Sequence, residues 1–286
     1  MSVTDVDSSA LMSISNEEFS LLRALIQRKF GINLSDQKKS LLVGRLQKLL
    51  RHSGYASFRE YYEALVNDKG EEKLSQLVDR ISTNHTYFNR ENAHFDYFAQ
   101  TALPAVANRL RQVNDQDLRI WCAGCSTGEE AYMLLMLMVE YFGEEYRRWN
   151  CGILATDISS RVLEIAEQGI YPEDKITMLP ETLKRKYLQP TGDGQYAFQE
   201  RLRKDATFRR FNLMNERFPF KKPFHVIFCR NVMIYFDAPT RTALIEKFHQ
   251  VMKPGGYLFI GHSETLGRQQ NLFKYVMPAV YQKEDV

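Results

Sequence analysis

Residues Arg119–Tyr132 read RIWCAGCSTGEEAY, and the same letters spell two chemistries. Trp121-Cys122 with Cys125 forms W-C-x-x-C, the pattern of a dithiol redox centre, which needs an exposed first cysteine activated at a helix N-terminus. The other reading is a strand, a turn at Gly124 and Gly128, and a helix opened by Glu129 and Glu130. Glycines there let the backbone turn sharply toward a ligand, and the helix start offers unpaired N–H groups. Cys122, Cys151 and Cys229 lie in or beside apolar runs, so they read as small buried hydrophobes of core strands. Four cysteines in 286 residues make no disulfide scaffold.

The next strand weighs toward the cofactor loop. CGILATDIS places Asp157 at the C-terminal end of an apolar run, where a nucleoside-binding sheet holds the acid that accepts both ribose hydroxyls. The same position also suits a helix N-cap. The loop lacks the Gly-Lys-Ser/Thr ending of a phosphate loop, and acids at a helix start repel phosphate. They suit a ligand with positive charge, an amino group or a sulfonium. S-adenosylmethionine carries both.

Working outward, short apolar runs alternate with amphipathic ones from about Leu118 onward: LRIWCAG, AYMLLMLMVEYF, CGILATD, SRVLEIAEQG, HVIFCRN, PTRTALIEKFHQVM and YLFIGH. That rhythm predicts a mostly parallel sheet wrapped by helices. Pro254-Gly255-Gly256 predicts a turn before a strand Tyr257–Ile260. A Gly192-Asp193-Gly194 turn, flanked by QYAF and further on by ATFRRF, predicts a small antiparallel excursion over about 188–211. Its Arg201, Arg203, Lys204, Arg209 and Arg210 read either as a solvated hairpin or as a partner surface.

Before residue 82 the pattern is helical. Ser15-Asn-Glu-Glu18 is a capping box opening a helix with Phe19, Leu22, Ile26 and Phe30 near one face, ended by Gly31. A second helix is expected over roughly 36–52 with a stripe of Leu42, Leu46, Leu49 and Leu50. Phe58, Tyr61, Tyr62 and Leu65 mark a third, and Leu74, Leu77, Val78 and Ile81 a fourth. The expected organisation is a helical domain over 13–81, a linker over 82–98 and an α/β domain over 99–286.

Bulk properties are those of a globular chain, 44% hydrophobic and 26% charged with a formal net charge of +3. That charge does not imply nucleic-acid binding. The opening MSVTDVDSSALM lacks the basic flank and apolar core of a signal peptide. No run approaches the ~20 apolar residues that span a bilayer. A cytoplasmic protein without membrane insertion is expected.

Motifs along nearly the whole chain resemble the bacterial chemotaxis receptor methyltransferases, the CheR family. They are Thr83-Asn84-x-Thr86-x-Phe88-x-Arg90-Glu91, Ser126-Thr127-Gly128-Glu129-Glu130, Phe228-Cys229-Arg230-Asn231-Val232-Met233-Ile234-Tyr235-Phe236, and Gly261-His262-Ser263-Glu264, in the family's order. The resemblance implies a Rossmann-like S-adenosylmethionine-dependent methyltransferase domain with a small antiparallel β-subdomain, after a small all-α N-terminal domain. It implies a protein-glutamate O-methyltransferase that esterifies glutamates on the cytoplasmic domains of membrane chemoreceptors and releases S-adenosylhomocysteine. In some members the β-subdomain docks a receptor C-terminal tail.

Carried over by position, the resemblance makes Asn84, Thr86 and Arg90 cofactor contacts from the linker, and Glu130 and Asp157 contacts from the first two strand ends. Asn212 and Leu213 are placed by the adenine, Arg230 and Asn231 at the fourth strand end, and Tyr235 near the transferred methyl. Arg90 and Tyr235 are the catalytic candidates, and His262 is read as packing. Asn89, Cys122 and Ala131 depart from the family's usual Phe, Ser and Pro. On the second helix Lys38, Arg45, Lys48, Arg51 and His52 form a basic arc, interrupted by Leu41, that suits an acidic substrate helix; a solvated face fits it too. Two other functions stay open: methylation of another acceptor, although the fourth strand end lacks the Asn/Asp-Pro-Pro-aromatic run of amino-methylating enzymes, and a cofactor-sensing module without turnover.

Overall fold

The strand–helix alternation beginning at Leu118 builds a seven-stranded sheet in a computed structural model that describes residues 12–284. The opening segment read against a signal peptide lies outside the described residues except for Met12. The chain divides into two units, residues 1–83 and 84–286.

The first unit holds α1 (Asn16–Phe30), α2 (Lys39–His52), α3 (Phe58–Val66) and α4 (Glu72–Ile81). The Ser15 capping box forms in full, and Gly31 ends α1 in the left-handed region at φ +72°. Each helix buries the expected stripe, among them Phe19, Leu22, Leu42, Leu46, Leu50, Phe58, Tyr61, Leu77 and Val78. Leu49 and Tyr62, at the stripe edges, are only partly buried. Asp36–Lys38 is a separate 3-10 turn ahead of α2.

The second unit runs α5 (Asn92–Tyr97), α6 (Leu103–Gln112), β1 (Ile120–Ala123), α7 (Glu129–Phe142), β2 (Ile153–Asp157), α8 (Ser160–Gln168) and β3 (Ile170–Pro172). It continues with α9 (Glu181–Tyr187), β4 (Leu188–Gly192), β5 (Gln195–Phe198), α10 (Glu200–Lys204), β6 (Ala206–Arg210) and β7 (Phe224–Cys229). It ends with α11 (Ala238–Gln250), β8 (Met252–Ile260), β9 (Lys274–Met277) and β10 (Val280–Gln282). The main sheet has the order β6-β2-β1-β7-β8-β10-β9. The strands β6, β2, β1, β7 and β8 are parallel neighbours, and β10 and β9 add antiparallel pairs.

Side chains alternate between the two faces of this sheet, as a strand requires. Ile120, Cys122, Ile153, Ala155, Val226, Phe228 and Phe259 enter one core with α6 and α7. Trp121, Ala123, Ile227, Cys229, Leu258 and Ile260 enter the other with α11. Both faces are covered, which explains why these strands read as continuous apolar runs.

Three expectations need correction. Ala206–Arg210 pairs in parallel with β2, Asp157 opposite Arg210, so ATFRRF is an edge strand of the main sheet. The small antiparallel sheet is instead β3-β5-β4, spanning 170–198. Arg201, Arg203 and Lys204 accordingly sit on α10, not on a hairpin. Pro254-Gly255-Gly256 lies within β8, as an excursion between Met252 and Tyr257, which pair with Phe224 and Val226. The backbones of Gly255 and Gly256 bond to Lys283 there. Finally, the linker expected over 82–98 belongs to the second unit from Asn84 onward: Phe88, Phe95 and Phe98 are buried in that unit's core, and Phe95 stacks on Phe228.

Candidate functional site

The loop after β1 folds back on the end of β2. Gly124 and Cys125 donate their N–H groups to the Thr156 carbonyl at 2.7 and 2.9 Å. Gly124 and Gly128 have φ of +86° and +94°, where a side chain is strained. A Cβ on Gly124 would meet Val232 Cγ2 at 2.3 Å, and one on Gly128 would meet Ala166 Cβ at 2.9 Å. Packing within the protein therefore requires these glycines before any ligand does.

Asp157 ends β2 and braces this loop. Its Oδ2 accepts the Ser126 N–H at 2.9 Å and its Oδ1 the Ser159 N–H at 3.0 Å. Ser159, rather than Asp157, caps α8. Ser126 Oγ donates to the Asn84 carbonyl at 3.1 Å, which joins the segment bearing Asn84 and Thr86 to the glycine loop.

The redox reading fails on geometry. Trp121 and Cys122 point to opposite faces of the sheet. Trp121 Nε1 donates to Thr156 Oγ1 at 2.9 Å, and five phenylalanines surround its ring. Cys122 and Cys125 are free and buried. Burial, then the Glu130 charge for Cys122 and the Asp157 charge for Cys125, pushes both thiols well above their ordinary pKa. A reactive thiolate needs the opposite environment. Cys122 Sγ lies 2.9 Å from Glu130 Oε1.

At the end of β7 an ion-pair hub forms. Arg230 Nη1 donates to Glu130 Oε2 at 3.0 Å, and Nη2 and Nε donate to Glu91 Oε2 at 3.1 and 3.3 Å. Nη2 also reaches the Arg90 carbonyl. The Arg230 side chain is only 2% exposed, so its guanidinium serves the protein rather than a ligand. Asn231, at φ +58°, donates through Nδ2 to Glu91 Oε1 at 3.3 Å. Burial raises the Glu91 pKa, but the Arg230 charge and the hydrogen bonds outweigh it and hold the carboxyl below its ordinary value.

Glu264 performs the matching task between β7 and β8. It accepts the N–H groups of Gly261, Asn231 and Ile234 at 2.5, 3.0 and 3.1 Å. Burial pushes its carboxyl upward against those donors. Arg90 is partly exposed, with Nη1 on the His85 carbonyl at 2.8 Å and the guanidinium over the Tyr87 ring at 5.8 Å. Tyr235 is partly buried on the 3-10 turn after β7. Asn212 accepts the Met214 N–H at 2.9 Å and Leu213 is buried, just past the end of β6.

The carboxyl ends of β1, β2 and β7 thus meet where neighbours of β1 lead off in opposite directions, the switch point at which open α/β sheets bind ligands. The description "CheR methyltransferase, SAM binding domain" matches residues 84–281, and "CheR methyltransferase, all-alpha domain" matches 17–82. The chain belongs to the CheR methyltransferase family. It is 46% identical over 272 residues to a chemotaxis protein methyltransferase of Borreliella burgdorferi, covering 95% of this chain and 96% of that protein. Chemotaxis protein methyltransferase 2 of Pseudomonas aeruginosa is 37% identical, with 93% of each chain covered. The Escherichia coli chemotaxis protein methyltransferase is 33% identical, covering 94% of this chain and 92% of its own.

The donor set suits the CheR cofactor, S-adenosylmethionine. Glu130 on the first turn of α7 and Asp157 at the end of β2 place two acids at the strand ends, of the sign that suits a cationic ligand. In this CheR chain the departure Asn89 stands at φ +60°, where asparagine is better tolerated than phenylalanine. His262, read from sequence as packing, is exposed, with its ring 4.5 Å from that of His94 between centroids and its backbone N–H donating to Glu91 Oε1 at 3.3 Å. Sequence reasoning assigned no role to Glu91 and Glu264, although both stood inside motifs. The Arg230 partner of Glu91 lies 139 positions away and the Asn231 partner of Glu264 33 positions away, beside its local donor Gly261, and the available signal was an acid at each motif's end.

Substituting Asp157 tests the ribose role. We expect Asp157→Ala to bind S-adenosylmethionine about tenfold to hundredfold more weakly, the loss of a charge-assisted pair worth ~1.5–3 kcal/mol. The ribose is common to cofactor and product, so both ligands should weaken alike in titration calorimetry. Unchanged affinity in a folded variant would exclude the role.

Proposed function

We propose that this chain transfers a methyl group from S-adenosylmethionine to glutamate side chains on the cytoplasmic domains of chemoreceptors, as sensory adaptation in chemotaxis requires. The carrying observation is the meeting of Glu130, Asp157 and the Arg90 segment at the switch point of a CheR methyltransferase sheet. When bound, the cofactor supplies an electrophilic methyl whose bond to sulfur breaks with the electron pair left on sulfur. A glutamate is already ionised at neutral pH, so the chain needs no general base and must only orient the carboxylate and exclude water.

Roles follow for the individual residues. Asp157 takes the ribose hydroxyls, Glu130 faces the cofactor's positive end, and Asn84, Thr86, Asn212, Leu213 and the backbone around Arg230 and Asn231 complete the pocket. Arg90, anchored through one nitrogen, suits a carboxylate of the cofactor or of the incoming glutamate. Tyr235 orients the acceptor with its hydroxyl. Cytoplasmic placement fits the absence, among the described residues, of any helix long and apolar enough to cross a membrane.

Substrate docking is assigned to the basic arc of α2, with one change. Arg45 reaches the carbonyls of Ile81 and Ser82 and Thr83 Oγ1, so it closes the C-terminal end of α4. The docking charges are therefore Lys48 and Arg51, both exposed, with Lys38 partly exposed beside them. The exposed edge of β4 is the strand a receptor tail would pair with.

One assay separates these readings. Labelled cofactor incubated with chemoreceptor-containing membranes should give a base-labile label on the receptors. Label in nucleic acid or amines instead would indicate another acceptor, and binding without transfer a sensor. Combining Lys48→Glu with Arg51→Glu should slow receptor labelling about tenfold in low salt and flatten its salt dependence. Cofactor affinity should hold, because both residues lie outside the domain starting at Asn84. A native rate in low salt would remove α2 from the docking role.

A further inference from the structure

The turn that follows β6 is held by a helix far along the chain. Over 212–215 it closes on itself: the Asn215 N–H donates to the Asn212 carbonyl at 3.0 Å, and Asn212 Oδ1 accepts the Met214 N–H at 2.9 Å. Two of its carbonyls take a distant donor. Lys247 Nζ, from the last turn of α11, donates to Leu213 O at 2.7 Å and to Asn215 O at 2.9 Å. The same nitrogen lies 4.9 Å from the centroid of the Phe218 ring.

A lysine is costly in this place. Burial disfavours its charge and pushes its pKa below the ordinary lysine value, and an apolar side chain would escape that cost. What the ammonium supplies is geometry: two charge-assisted hydrogen bonds and a ring contact that fix the turn. Its base is rigid, because Leu244, Ile245 and Phe248 of α11 are buried in one core with Trp121. Phe218 meets Trp121 edge-on at 5.4 Å, so the ring under the ammonium belongs to that core too.

We propose that Lys247 is a positioning residue for base recognition: it holds the turn 212–215 where adenine is read, and so sets how strongly the site prefers adenine over hypoxanthine. The inference rests on the reading that Asn212 and Leu213 lie beside the adenine. Hypoxanthine carries a carbonyl where adenine has its amino group, and an N–H where adenine has a bare ring nitrogen. Polar groups held in place reject that exchange, because the wrong base leaves them facing like partners. A turn free to shift adapts to either base.

Calorimetric titration of the full chain with S-adenosylhomocysteine and with S-inosylhomocysteine, its hypoxanthine counterpart, reads the preference. Lys247→Met keeps the apolar stem and removes the ammonium. We expect it to weaken the adenine ligand about tenfold and the hypoxanthine ligand by less than about threefold. Lys247→Arg, which keeps a cationic donor on α11, should restore the native preference. Lys247→Gln, shorter and uncharged, is the second variant should methionine not fold, and it carries the same expectation. A merely structural lysine would lower stability and leave the preference alone. Equal weakening of both ligands, or an unchanged preference in the methionine and glutamine variants, overturns the proposal. A native chain that binds both ligands alike overturns it as well. Asn212→Ala, in the turn itself, is titrated alongside. Should it lower the preference while the Lys247 variants leave it alone, only the lysine's role fails; should all of them keep the native preference, the adenine reading itself fails.

Discussion

Replacing Arg230 with methionine is expected to cost the second unit about 3–5 kcal/mol of stability, the penalty for stranding buried charge. Glu91 would lose two hydrogen-bond donors and Glu130 one, leaving like charges facing one another across the vacated site. The Arg90 carbonyl would lose its partner as well. Lysine should recover only part of the loss, because one compact ammonium cannot span two carboxylates and a carbonyl as a planar fork does. The chain's two tryptophans, Trp121 and Trp149, both belong to this unit. Their fluorescence during urea unfolding reports on it without interference from the helical unit. Adding Glu91→Gln to Arg230→Met should return a good part of the lost stability, since it removes one stranded charge. A fall below about 1 kcal/mol for Arg230→Met would mean that the hub is solvated and does not hold the strand ends together.

The parts of the fold that were legible in the sequence are those fixed by near neighbours. The capping box of α1, the apolar stripes of α1–α4 and the strand-glycine-helix run at Ile120–Glu130 each involve contacts within a few residues. The hairpin at Gly192-Asp193-Gly194 was legible for the same reason, and β4 does pair with β5 across it. The third strand of that sheet was not legible, because β3 precedes it by α9 and a 3-10 turn. ATFRRF carries strand letters, but its partner β2 lies some fifty residues earlier, and only the tertiary structure decides which sheet takes it. Pro254-Gly255-Gly256 has turn chemistry, yet bonds to Lys283 hold its glycines within a strand. In the site, acids next to glycines could be read as ligand-facing, whereas Glu91 and Glu264 bury their charges against distant backbone and a distant arginine. No periodicity marks such residues.

Acidification should expose a second consequence of these buried groups. His94 and His225 are both buried, and desolvation, then the neighbouring charge of Arg230 or Lys253, pushes each pKa from 6.5 to about 4. His225 is held by geometry as well, since its Nδ1 accepts the Arg119 N–H at 3.1 Å. Around it, Asp115 and Asp117 favour the charged ring and Arg119 opposes it. With the folded pKa below the unfolded one, the stabilisation is complete above about pH 6.5. It is lost as pH falls from there toward about 4, because the unfolded chain takes up protons first. Linkage sets the size at on the order of 3 kcal/mol for each histidine over that window. Glu129 and Glu264 act with the opposite sign, since burial raises their pKa values and the folded chain takes up their protons first. Comparing variants cancels that contribution. His225→Asn keeps an acceptor near the Nδ1 position, and His94→Gln keeps a donor near Nε2. Each should flatten the fall of unfolding free energy between about pH 6 and 4.5 by roughly 1.4 kcal/mol per pH unit, measured by urea unfolding at a series of pH values. If the double variant loses stability as steeply as the native chain, the two rings are protonated in the fold and the carboxylates carry the whole dependence.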